Sequence, residues 1–198
     1  MAVELKNGVA TFYAKNRKAW RQWLQKNHAT AQSVWLIIYR KESAMPSVYY
    51  PEAVDEALCF GWIDSKPNKR DAESYCLFFS KRSPKSNWSQ VNKRKVAILL
   101  EQGLMAPAGL AMVELAKQNG TWTALDKVHA IEIPPEMAAL FKQNKTAEQH
   151  FTAFPPSTKR GILEWILNAK TTETRMKRIT ETVSLAAQNI RANQYVKK

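Results

Sequence analysis

YYPEAVDEALCFGWIDS, Tyr49 to Ser65, changes its hydrophobic period in mid-course. Pro51 suits the first position of a helix, Val54, Ala57 and Leu58 form its inward stripe, and Gly61 ends it. Trp62-Ile63 then reads as the start of a strand. Upstream, the six residues Val34 to Tyr39 (VWLIIY) are β-branched and aromatic enough for a strand buried on both faces. Downstream, Tyr75 to Phe79 (YCLFF) makes another, after the polar turn Asp64 to Asp71. Strands this close in sequence, without long crossovers, are expected to pair as an antiparallel meander. Ahead of them Asn16 caps a helix whose Trp20, Trp23 and Leu24 share one face.

From Ser86 onward the pattern is helical. Ser86 is expected to cap a helix reaching about Leu100, and Pro107 opens another that ends before Gly120. After Pro134-Pro135 come shorter helices, one started by the capping box Thr146-x-x-Gln149, with Ser157 and Thr171 capping the last two. Ile162, Trp165, Ile166 and Ala169 give one apolar stripe, and Met176, Ile179, Val183, Ala187 and Ile190 the other. The predicted fold class is α+β: a small antiparallel sheet with flanking helices, followed by a helical C-terminal tail. The body spans 1–120 and the helical region 121–198, expected to pack together as one unit.

The 198 residues carry 30 Lys plus Arg against 17 Asp plus Glu, a net charge of +13, which predicts attraction to anions without choosing among nucleic acid, membrane surface and a phosphorylated or carboxylate ligand. No apolar run approaches the roughly 18 residues of a membrane span. The amino-terminal stretch MAVELKNGVATFYAKNRKAW has no apolar block before a cleavage site, so a cytoplasmic protein is expected. Cys59 and Cys76 form no CxxC pair and are expected as reduced thiols, Cys59 a small buried hydrophobe. His28, His129 and His150 are scattered without ligand spacing, so neither a metal site nor a cofactor is expected.

Residues 66–95 hold nine basic side chains against Asp71 and Glu73, a net +7, interleaved with Tyr75, Phe78, Phe79 and Trp88. Flat rings among cations suit a nucleic acid, whereas the plainer reading puts the rings in the core and the lysines in water. Within this stretch Arg82-Ser83-x-x-Ser86-x-Trp88-Ser89 places an arginine and hydroxyls at a helix start, an arrangement that cradles anions. Glu52 and Glu56 lie one turn apart on the Pro51 helix, and Asp64 follows the Trp62 strand. First-turn acids ordinarily complement the helix dipole, while Asp64 is placed to pair with Arg82 or Lys81.

These residues also carry a resemblance. Tyr50 to Asp64, Phe79 to Arg82 and Ser86-x-Trp88-Ser89-x-x-Asn92 look like the YdeI/OmpD-associated, or bacteriocin-protection, family. The likeness continues through Ala106 to Leu110, Gly120-x-Trp122 and the tail from Trp165 to Ile179. One departure is Phe79-Ser80-Lys81-Arg82, where the family reads Phe-Thr-Pro-Arg, and a less rigid turn is expected before Arg82. The resemblance implies an α+β body with a helical tail and carries over no catalytic residues.

Three functions compete. The leading one is a non-catalytic binding protein with a stress or bacteriocin-protection role, holding a small anionic ligand. Arg82 would pair with the anion, Ser86 and Ser89 would donate hydrogen bonds, Trp62 and Trp88 would wall the site beside Asn92, and Asp64 would orient Arg82. The second is nucleic-acid binding by the 66–95 face. The third is an acid/base enzyme using Asp64 and Glu56, which no nucleophile, metal set or phosphate loop accompanies.

Overall fold

In the computed structural model, which describes residues 4–194, the first half of the chain is built on β1 (Leu5–Lys6), β2 (Val9–Tyr13), β3 (Ser33–Tyr39), β4 (Trp62–Lys69) and β5 (Ser74–Lys81). Residues 1–3, the start of the stretch read for an export signal, lie outside the described residues. The strands form one mixed sheet in the order β1-β2-β3-β5-β4. The expected meander over β3, β4 and β5 is therefore corrected: β5 lies between the other two. Side-chain chemistry explains the order. β5 offers Cys76, Leu77 and Phe79, all buried, and accepts neighbours on both edges. β4 continues as Asp-Ser-Lys-Pro-Asn-Lys, and proline and lysine belong on an edge, where no second ladder needs the missing N–H.

β2 is a strand that the apolar pattern did not reveal, since Val-Ala-Thr-Phe-Tyr is only half-buried throughout. It pairs parallel with β3, Thr11 opposite Trp35. Helix α1 (Arg17–Asn27) makes the crossover, as a parallel pair requires. The side chain of Asn16 caps α1 as expected, accepting from the Ala19 N–H at 2.9 Å.

Helix α2 (Tyr50–Cys59) follows β3 and ends at Gly61, whose φ of +72° suits glycine alone without strain. Helices α3 (Gln90–Glu101) and α4 (Pro107–Gln118) complete this part. The cap of α3 is Ser89 instead of Ser86; its hydroxyl accepts from the Asn92 N–H at 3.2 Å. α4 lies so close to the end of α2 that a Cβ on Gly109 would sit 2.2 Å from the Cys59 carbonyl oxygen. The core beneath these helices joins Trp20, Leu24, Leu36, Leu58, Trp62, Leu77, Phe79 and Trp88.

The chain divides into two units at Thr123/Ala124. The second is wholly helical among its described residues: α5 (Asp126–His129), α6 (Pro135–Gln143), α7 (Lys145–Ala153), α8 (Pro156–Leu167) and α9 (Thr172–Ala187). It has a separate core of Met137, Phe141, Phe151, Ile162, Ile166, Ile179 and Val183. Thr171 caps α9 as expected. α7 instead begins at Lys145 under Asn144, whose side chain accepts from Ala147 N–H, so Thr146 is already helical and the expected capping box is absent. Ser157 likewise lies inside α8, whose cap is Pro155. Ile190 falls beyond α9 and is exposed. Among the described residues no helix is long and apolar enough to cross a membrane.

Candidate functional site

Arg82 stands at the end of β5, where the chain leaves the sheet. Its backbone N–H donates to the Gly61 carbonyl at 3.0 Å, tying the end of β5 to the end of α2. The side chain turns inward and is 5% exposed. The guanidinium lies face-on to the Trp88 indole, its central carbon 3.9 Å from the ring centre. Nη2 donates to the Asn87 carbonyl oxygen. Nε and Nη1 are buried and have no hydrogen-bond partner. No carboxylate pairs with the group among the described residues. Burial alone, with no acid to oppose it, pushes the Arg82 pKa down to about 10, which still leaves it charged at neutral pH. A charge so desolvated is costly, and the indole face returns only about 2 kcal/mol of that.

The side chain forms part of the wall of a hollow of about 290 Å³, together with His28, Lys81, Gly61, Trp62 and Met112. Each is set there by the fold. Lys81 lies opposite Trp62 in the β4–β5 ladder, and its ammonium donates to the Ala29 carbonyl at 2.7 Å. The Lys81 N–H donates to Gln32 at 3.1 Å, a bond that a proline would lack, so the looser turn expected before Arg82 is instead continued strand. His28 closes α1, with Nδ1 2.9 Å from the Leu24 carbonyl. Since a carbonyl only accepts, Nδ1 carries the proton and Nε2 is left for another partner. Trp62 is 1% exposed, and its indole N–H donates to His28 at 3.4 Å. Gly61 leaves room here: a Cβ would meet Met112 Cγ at 2.8 Å.

The residues named from sequence fall into three groups. Trp62 and Arg82 share this hollow, and Trp88 lies behind the guanidinium as its stacking partner. Ser86, Ser89 and Asn92 shape the turn and the start of α3: Ser86 N–H donates to Ser83, and the Ser89 hydroxyl caps the helix. Asp64 lies elsewhere. It accepts from the Tyr50 hydroxyl at 3.0 Å and lines a second hollow with Arg40, Lys69 and Tyr75, so it does not orient Arg82. The sequence reading missed His28 and Lys81 as members of the site. The spacing of basic residues marked Lys81, but only the β4–β5 pairing set it opposite Trp62 in this hollow.

The third hypothesis required Glu56 and Asp64 as an acid/base pair. Glu56 is 2% exposed, with Oε1 held by Arg17 Nε and Oε2 by Arg21 Nη1, each at 2.6 Å. Both oxygens are committed to α1. The rings interleaved with the 66–95 cations also separate: Phe79 and Trp88 enter the core, while Tyr75 and Phe78, three residues apart on β5, face opposite sides of the sheet. They form no common stacking row.

Comparison with known families divides the chain. The model described as "Bacteriocin-protection, YdeI or OmpD-Associated" matches residues 130–189. A domain of unknown function, DUF8412, matches residues 12–112. No curated protein and no solved structure matches the chain. The ALCFGWID string therefore falls within the second of these families, and the matched tail within the first.

Proposed function

We propose that this chain, which belongs to the bacteriocin-protection, YdeI or OmpD-associated family and, by its amino-terminal part, to the DUF8412 family, is a binding protein for a small oxyanion. The anion, a phosphate- or carboxylate-bearing metabolite, sits in the hollow walled by Arg82, Lys81 and His28. One observation carries this reading: a buried guanidinium with two nitrogens unpartnered and no acid near it. An entering oxyanion supplies the missing acceptors in the geometry that a guanidinium fork favours. Lys81 adds a second positive charge, and Trp62 and Met112 provide apolar wall. Any protective role in the cell follows from retaining such a ligand, without chemistry on it.

Isothermal titration of inorganic phosphate and of a phosphate monoester against wild type and Arg82→Met tests the proposal. Methionine fills the same space without charge, so the fold is retained. Wild type is expected to bind, and Arg82→Met to lose at least tenfold in affinity. Equal heats from the two proteins would overturn the assignment.

A further inference from the structure

The larger hollow of the first unit, about 580 Å³, has charges of opposite sign at its two ends. Its lining draws on β4 and β5. Lys69 lies opposite Tyr75, Pro67 opposite Leu77, and Asp64 opposite Phe79, so the row of Lys69 and the row of Asp64 are four β5 residues apart, about 13 Å at the strand rise. Arg40 joins Lys69 at the far end, since its N–H donates to Glu73, two residues before Tyr75. Neither Arg40 nor Lys69 pairs with an acid among the described residues. At the near end one Asp64 oxygen takes the Tyr50 hydroxyl, and the other has no hydrogen-bond donor among the described residues. Pro67 and Leu77 lie between the ends, Tyr75 stands in the row of Lys69, and Ser65 and Tyr75 add hydroxyls to the lining.

We infer that this hollow binds a short extended peptide with free termini. Its ammonium meets Asp64, its carboxylate meets Arg40 and Lys69, and its central side chain rests on Pro67 and Leu77. A fully extended tripeptide spans about 10 Å, and the reach of the lysine and arginine side chains closes the remaining distance. A single amino acid is too short to engage both ends. The Ser65 and Tyr75 hydroxyls can donate to the peptide carbonyls, which a plain alkyl chain with charged ends would leave unused. This site is separate from the Arg82 hollow and does not depend on it.

Titration calorimetry on the full chain tests the assignment with Ala-Leu-Ala, its N-acetyl form and its C-terminal amide. The free tripeptide is expected to bind at least tenfold more tightly than either blocked form. Asp64→Asn is expected to abolish the penalty for acetylation, and the double variant Arg40→Gln, Lys69→Gln the penalty for amidation. These are open positions at which folding is not at stake. Arg82→Met should leave the tripeptide affinity within twofold, which separates this result from the anion site. No heat from Ala-Leu-Ala at millimolar concentration, or blocked peptides binding as tightly as the free one, would overturn the proposal.

Discussion

Glu56 and Arg82 are both charged, both almost fully buried, and handled in opposite ways. At the α1–α2 contact, Glu56 has an arginine on each oxygen, and Arg21 extends the network with a bond from Nη2 to the Leu104 carbonyl at 2.8 Å. At the β5–α3 corner, Arg82 has an indole and one carbonyl. A protein that can assemble a two-arginine clamp for one acid is not short of means to neutralise a charge. The difference separates a charge neutralised inside the fold from one whose guanidinium keeps two nitrogens without a partner.

The sharpest way to break this contrast is at Glu56. Glu56→Gln removes the charge that holds Arg17 and Arg21, and should destabilise the protein by about 2–4 kcal/mol in urea unfolding. The figure sits at or below the usual cost of breaking a buried pair because the arginines keep 38% and 27% of their side-chain exposure. A loss below 0.5 kcal/mol would place Glu56 among ordinary surface pairs.

Arg82→Met should move the other way. Without ligand it is expected to equal or exceed wild type by up to about 2 kcal/mol, since an apolar side chain replaces a desolvated charge. The sign with pH follows from the lowered pKa: the penalty of holding the proton is present in full at neutral pH and is relieved as pH rises through about 10. The gap between variant and wild type should therefore narrow in alkaline buffer. Phosphate at 100 times its Kd should stabilise wild type by about 2.7 kcal/mol and leave Arg82→Met unchanged. A variant less stable than wild type at neutral pH would make Arg82 a structural residue like Glu56.

The smallest effect calibrates the comparison at an exposed acid. Asp71 accepts from the Ser74 hydroxyl and from the N–H groups of Glu73 and Ser74, bonds that hold its pKa below the ordinary carboxylate range. Its contribution is present above that range and is lost as pH falls through the lowered value. Amide exchange at Glu73 and Ser74 should quicken in acid while the Leu36 and Leu77 amides stay protected, an outcome that hydrogen exchange by NMR reads directly.

Local chemistry was legible wherever short-range patterns suffice. Pro51 and Gly61 bound α2, Asn16 caps α1, Thr171 caps α9, and the Val34 to Tyr39 run is a central strand. Caps misread at Ser86 and Thr146 share one cause: a second polar residue, Ser89 or Asn144, stood close by and took the cap, whereas α8 opens on Pro155-Pro156 without a side-chain cap. β2 escaped notice because a half-buried strand carries neither strict alternation nor a long apolar run. Asp64 and Arg82 looked like partners because each flanks the same polar turn, yet Asp64 meets Tyr50 and Arg82 meets Trp88.

What the chain of residues determined alone was its class, its positive charge and most helix limits. The tertiary structure decided which edges pair. By inserting β5 between β3 and β4 it set Lys81 opposite Trp62, His28 came to the same hollow as Arg82, and Asp64 went to a different one. The physical reason is that strand order depends on which sequence can bury both faces and which must keep an edge in water, a competition among distant segments that no local pattern encodes.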